Sequence, residues 1–159
     1  MRHIIRKLAY WPSDISQHIL LLQRVARWFL LKVPVVGPFL AVFFRYFIRV
    51  YSSCDLSPQA QISESVQFPH PIGIVIGDGV IVRENVRIWQ QVTLGSHGKK
   101  GEIMSYPLIE SDVLIFCNSS VIGGVKVGKS AIVGAHSLVL NDVPDGSTVA
   151  GAPAKIVNS

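Results

Sequence analysis

The chain has 159 residues, 49% hydrophobic and 16% charged, which fits one folded domain with at most a small appendage and excludes a disordered chain. Its net charge of +5 is uneven: residues 1–54 hold eight Lys/Arg against the single acid Asp14, and the remainder holds seven bases against nine acids. No stacking module or groove-reading helix accompanies the basic part, so nucleic acid is not expected as a partner and an anionic membrane surface fits better.

Residues 1–54 read as a helical hairpin. Ser13 is placed to cap a helix from Asp14, and Ile15, Ile19, Leu22, Ala26 and Phe29 follow at helical spacing. Pro34, Gly37 and Pro38 break it, and a second apolar run extends from Phe39 to about Tyr51. Two readings of the hairpin coexist: it covers the open end of the following domain or packs in an oligomer, and it touches a membrane surface. Within residues 1–54 the longest uncharged run, Val33 to Phe44, is twelve residues and holds two prolines, against roughly 20 residues for a membrane span. No secretory signal is recognisable, because the apolar region starts late and lacks a small-residue cleavage site. Cys54 and Cys117 form no Cys-x-x-Cys pair. Free thiols in a reducing compartment follow, so the expected location is cytoplasmic, peripheral at the inner membrane if the hairpin meets lipid.

From Leu56 a six-residue beat takes over. Large apolar residues recur at Leu56, Ile62 and Phe68, at Ile76, Val82, Ile88 and Leu94, and at Ile109, Ile115, Val121, Val127, Val133 and Val139. A smaller side chain follows most of them by four positions, from Ala60 to Val143. That period suits neither a helix nor one long strand, but it suits short strands joined by tight corners and stacked as a solenoid. The solenoid is expected over 55–148, with a tail over 149–159. The beat stumbles twice, at Pro69-His70-Pro71-Ile72-Gly73 and at 95–107, and such interruptions project from a solenoid wall. The longer one carries Lys99 and Lys100 on a Gly-rich backbone.

His70 stands between two prolines that limit its backbone. A neutral imidazole there suits taking a proton from an alcohol, and a purely structural His fits the same place. Asp55 precedes it by fifteen residues, nearly one coil of about eighteen, which puts an acid on the same edge. It is placed either to orient the imidazole or to cap the entry corner. His97 lies in the projecting loop and His136 at a late corner, without ligand spacing, so no metal is expected. Cys117 reads as a small corner hydrophobe.

With these residues in view, the chain resembles the hexapeptide-repeat acyltransferases, in their serine acetyltransferase-like branch. The matching text is Asp55-Leu56-Ser57-Pro58, Phe68-Pro69-His70, Gly73-Ile74-Val75-Ile76-Gly77-Asp78, Val92-Thr93-Leu94-Gly95, Val133-Gly134-Ala135 and Ala150-Gly151-Ala152-Pro153-Ala154-Lys155. The resemblance implies a mainly β fold, a left-handed parallel β-helix after the short N-terminal α-helical hairpin. It also implies a homotrimer, with acetyl-CoA as acyl donor in the groove between neighbours. His70 would be the general base and Asp55 its orienting acid, with Cys117 and Ala135 beside the pantetheine arm and Lys155 at the nucleotide end. Serine acetyltransferases typically show Asp-His at Pro69-His70 and Arg-His at Ser105-Tyr106. Losing both charges argues against a zwitterionic acceptor, and Tyr106, Ser105 and Trp89 suit a sugar hydroxyl. The expected function is therefore direct acetylation of a capsular or exopolysaccharide unit, lipid-linked in many such systems, as in the shortened proteins of polysaccharide biosynthesis. Serine O-acetylation for cysteine biosynthesis is the alternative, and a non-catalytic trimeric scaffold the second.

Overall fold

The computed structural model describes residues 15–98 and 104–158. The expected Ser13 cap and Lys99, Lys100 and Gly101 lie outside them. Among the described residues, two helices come first, α1 (Ile15–Lys32) and α2 (Gly37–Ser52), followed by fourteen short strands. Gly37 and Pro38 do not lie in the break between the helices, as the sequence suggested, but begin α2. Proline is cheap in a helix's first turn, where its missing N–H has no partner to lose. A Cβ on Gly37 would sit 2.1 Å from the Phe29 carbonyl oxygen, so only glycine lets α2 start against the end of α1.

The strands build three sheets that form the faces of a triangular prism, a left-handed parallel β-helix. One face stacks β1 (Asp55–Leu56), β3 (Val75–Ile76), β6 (Thr93–Gly95), β9 (Ser120–Ile122) and β12 (Leu138–Val139). A second stacks β2 (Gln61–Ile62), β4 (Ile81–Val82), β7 (Leu108–Ile109) and β10 (Lys126–Val127). The third stacks β5 (Arg87–Ile88), β8 (Leu114–Ile115), β11 (Ile132–Val133) and β13 (Thr148–Ala150), and β14 (Lys155–Asn158) adds antiparallel to β13. Each face contributes one large inward side chain per coil. Leu56, Ile76, Ile88, Leu94, Ile109, Ile115, Val121 and Val133 are fully buried, with Ala60, Val86, Val113 and Ala131 filling the corners between them. Ile62 is only partly buried, because β2 is the edge strand of its sheet.

Coil length varies while the register holds. Asp55 pairs with Val75 twenty residues on, Val75 with Thr93 eighteen on, Thr93 with Ser120 twenty-seven on, and Ser120 with Leu138 eighteen on. The two sequence stumbles are thus excursions that leave and re-enter at a corner.

The first coil exposes carbonyls with no strand beneath them, and α1 satisfies them. Buried Gln23 donates to the Ser57 and Ala60 carbonyls at 3.0 and 3.1 Å, Arg27 donates to the Gln59 carbonyl at 2.7 Å, and the Phe68 amide donates to the Ser16 hydroxyl at 3.1 Å. Ile19, Leu20 and Ile48 complete the plug by joining the coil core.

Candidate active site

The corners explain where the singled-out residues fall. Asn85, Gln91, Asp112, Asn118, Ser130 and His136 all have φ between 56° and 65°, a conformation that costs most L residues energy and that Asn and Asp tolerate best. At each upper corner the amide of that residue donates to the coil below. Asn118 donates to Gln90 O (3.1 Å), His136 to Cys117 O (3.0 Å), Asp112 to Glu84 O (3.0 Å) and Ser130 to Ser111 O (3.0 Å). The bonds sort the corners into separate edges. Gly73, Gln91, Asn118 and His136 stack along one, since Gln91 donates to Ile72 O at 2.9 Å, while Asn85, Asp112 and Ser130 stack along another.

The first of these edges gathers most of the sequence candidates. His70 lies in the corner segment at its foot, exposed, with a tight turn closed by the Ile72 amide on the His70 carbonyl at 2.9 Å. Cys117 and Ala135 are consecutive steps of the same edge. From Gly73 to His136 it climbs three coils, about 14 Å at the usual strand spacing. Trp89 flanks the edge and stacks on Phe116 one coil above, with ring centroids 4.6 Å apart. At the top, the turn before exposed Lys155 closes over β12, where Leu138 donates to Gly151 O and the Ala154 amide to Leu138 O.

Tyr106 and Ser105 belong elsewhere. The Tyr106 ring covers Gly77 and Gly79, at the corner between β3 and β4, and a Cβ on Gly79 would lie 2.3 Å from it. Ser105 sits against Gly124 at the corner between β9 and β10. In one chain, therefore, these two residues and His70 lie on different edges, separated by the face that begins with β1. A cavity of about 610 Å³ opens on the Tyr106 side, lined by His97, Ile122, Gly123, Leu140, Asn141 and Asp142. Only His97 of that lining stood out in the sequence, because the cavity arises where the excursion folds back on the next coils.

Asp55 is half-buried at the start of β1, facing α2. Arg45 donates to it from Nε to Oδ1 at 2.6 Å and from Nη2 to Oδ2 at 3.1 Å, and Arg49 donates to Oδ2 as well. Burial pushes the Asp55 carboxyl up, but the hydrogen bonds and charge of the two arginines outweigh it and hold the carboxyl below the usual range. A carboxylate offers about four acceptor sites, so three donors leave room for one more. Arg45 also approaches Asp78 at 3.9 Å, and the Ser57 hydroxyl donates to Asp78 at 2.6 Å. In the sequence Arg45 and Arg49 are only two of the eight basic residues of 1–54. Their four-residue spacing, one helical turn, was the signal that they share a target. Cys54, buried beside Gly73 and Ile74, has its thiol pushed up by burial, which makes it a poor nucleophile. Among the described residues, no three His, Cys, Asp or Glu side chains cluster as metal ligands.

No protein-family model matches the chain. Among curated proteins, the serine acetyltransferase of Haemophilus influenzae is 39% identical over 119 residues, covering 75% of this chain and 44% of the relative. Among solved structures, a serine acetyltransferase from Vibrio cholerae superposes with a TM-score of 0.82 at 38% identity, covering 89% of this chain and 53% of that one. One from Brucella abortus, in complex with coenzyme A, superposes with a TM-score of 0.85 at 31% identity, covering 92% and 57%. The chain thus spans about half the length of the relatives it matches. These findings overturn the sugar hydroxyl of a polysaccharide as acceptor and favour the serine alternative. Two missing charges, at Pro69 and at Ser105-Tyr106, weigh less than agreement along the whole coil. The expected closeness to polysaccharide O-acetyltransferases falls with that acceptor. By its coils and by these relatives, the chain is similar to the hexapeptide-repeat acyltransferases.

Proposed function

We propose that the chain is a serine O-acetyltransferase that moves the acetyl group of acetyl-CoA onto the hydroxyl of L-serine. The observation that carries this is the shared edge. An exposed imidazole at its foot, small residues Cys117 and Ala135 along it and a lysine near its top match the layout expected for a long thioester ligand and a base. The coenzyme A held by the Brucella relative supports the donor, and the names of the relatives support the acceptor.

On this reading His70 takes the serine hydroxyl proton as that oxygen attacks the thioester carbonyl. The tetrahedral intermediate collapses by breaking the C–S bond, and the departing thiolate recovers the proton from His70, leaving O-acetylserine and free CoA. Asp55 accepts the second imidazole N–H through its remaining acceptor site and fixes the tautomer. The amino acid charges need other partners than Pro69 and Tyr106, and Arg49, half exposed beside Asp55, is the guanidinium available for the carboxylate. Tyr106 and Ser105 reach the base only from a neighbouring copy, so the working form is a trimer with the His70 edge of one subunit against the Tyr106 edge of the next.

The test is release of free thiol from acetyl-CoA with and without L-serine. Serine-dependent release is expected, and His70→Ala should lower it by about 10²-fold or more. A folded wild-type chain that binds CoA yet shows no serine-dependent release would remove serine as the acceptor.

A further inference from the structure

The hairpin carries a second surface that acetyl transfer does not use. On α2, Phe39, Val42, Phe43, Tyr46, Phe47 and Val50 recur at i, i+3, i+4, i+7, i+8 and i+11, one continuous stripe. The stripe faces away from the coils, with Phe39 76%, Val42 66% and Val50 68% exposed. Exposed Trp28 and Leu31 of α1 and Val35 and Val36 of the turn extend the apolar surface. Beside it a groove of about 270 Å³ runs between the helices, its walls formed by Leu21, Leu22, Phe47 and Tyr51, with His18 as the one polar residue. A contiguous apolar surface of this kind, left open by a folded chain, marks an interaction site.

Charge identifies the occupant. Residues 1–54 carry eight Lys/Arg against one acid; of those on the helices, Arg24, Arg27, Arg45 and Arg49 reach to the coils, and Lys32 is exposed at the end of α1. The net positive charge of this segment, with exposed Lys32 next to Leu31 and the turn, complements anionic headgroups rather than a second copy of the same sign. The aromatic content fits as well, since Trp and Tyr favour the boundary between headgroups and acyl chains. No helix among the described residues is long and apolar enough to cross a membrane. At sixteen residues α2 is about 24 Å long. We infer that the α1–α2 hairpin lies flat on an anionic lipid surface, with the α2 stripe entering the acyl boundary and the groove receiving part of an acyl chain. This does not depend on which acceptor the His70 edge serves.

The experiment is co-sedimentation of the full chain with phosphatidylcholine vesicles prepared with and without phosphatidylglycerol. Binding should be at least about tenfold greater on the anionic vesicles and should weaken in high salt, where headgroup attraction is screened. Phe39→Ser combined with Phe43→Ser should abolish it while the circular dichroism of the coils stays unchanged. Lys32→Glu keeps the stripe intact and should lower binding several-fold on anionic vesicles only. A folded wild-type chain that ignores both vesicles, or binds them equally, overturns the inference. So does self-association that the Phe39/Phe43 substitutions dissolve without any vesicle binding, because a second copy is then what covers the stripe.

Discussion

Each coil of the β-helix turns one large aliphatic side chain per face inward, so Ile88, Leu94, Ile115 and Val133 are fully buried, while α2 leaves Phe39, Val42 and Val50 largely exposed. Both regions are strongly apolar, and they differ in what imposes the pattern. In the coils the strand period and the stacking of neighbours leave each inward residue no alternative to the core. A lone helix pair capping one end has a single face to bury. α1 and α2 spend it on Ile19, Leu20, Ile48 and the polar plug of Gln23, and the opposite face stays open. Hydrophobicity therefore reports packing in one region and availability in the other.

The strongest attack on this contrast is a pair of substitutions. Leu94→Ala should lower stability by about 2–5 kcal/mol in a denaturant titration, as for other buried leucines. Phe43→Ser should change it by no more than about 0.5 kcal/mol, as at ordinary surface positions. Equal costs would mean that the α2 stripe is already packed in solution.

A smaller effect probes the joint between the two regions. Arg45→Met removes two of the three donors to Asp55 and should cost about 1–2 kcal/mol, because the pair is only partly buried. The sign follows from the lowered carboxyl. Its contribution is fully present above the ordinary Asp value of about 3.8 and is lost as pH falls through the lower folded value. Melting curves should thus show wild type and Arg45→Met separated near neutrality and converging in strong acid. A gap that persists there would assign the loss to packing of the arginine stem.

The mildest comparison sets one thiol against the other. Half-exposed Cys117 should react with a maleimide first and be slowed by CoA, whereas Cys54 should react only on unfolding. Equal reactivity, or no protection by CoA, would separate Cys117 from the donor groove.

Much of the fold was legible because the six-residue beat is a local code for three faces: of its thirteen large positions, only Ile62 is not buried. The edge was partly legible too, since Cys117 and Ala135 are eighteen residues apart, one coil, and stack as that interval requires. Long-range facts were not. The arginines on Asp55 depend on how α2 docks against β1, and the separation of Tyr106 from Trp89 depends on which corner the excursion leaves by. The sugar acceptor expected from the sequence fails for a different reason, since it rests on two side chains in isolation from the wall that carries them.

Coil steps of twenty, eighteen and twenty-seven residues coexist without loss of register. A segment of almost any size can therefore bud from a vertex while the lattice above and below it stays unaltered. The scaffold is modular in an engineering sense: the segment between β6 and β7 can be exchanged while the stacked faces keep their register.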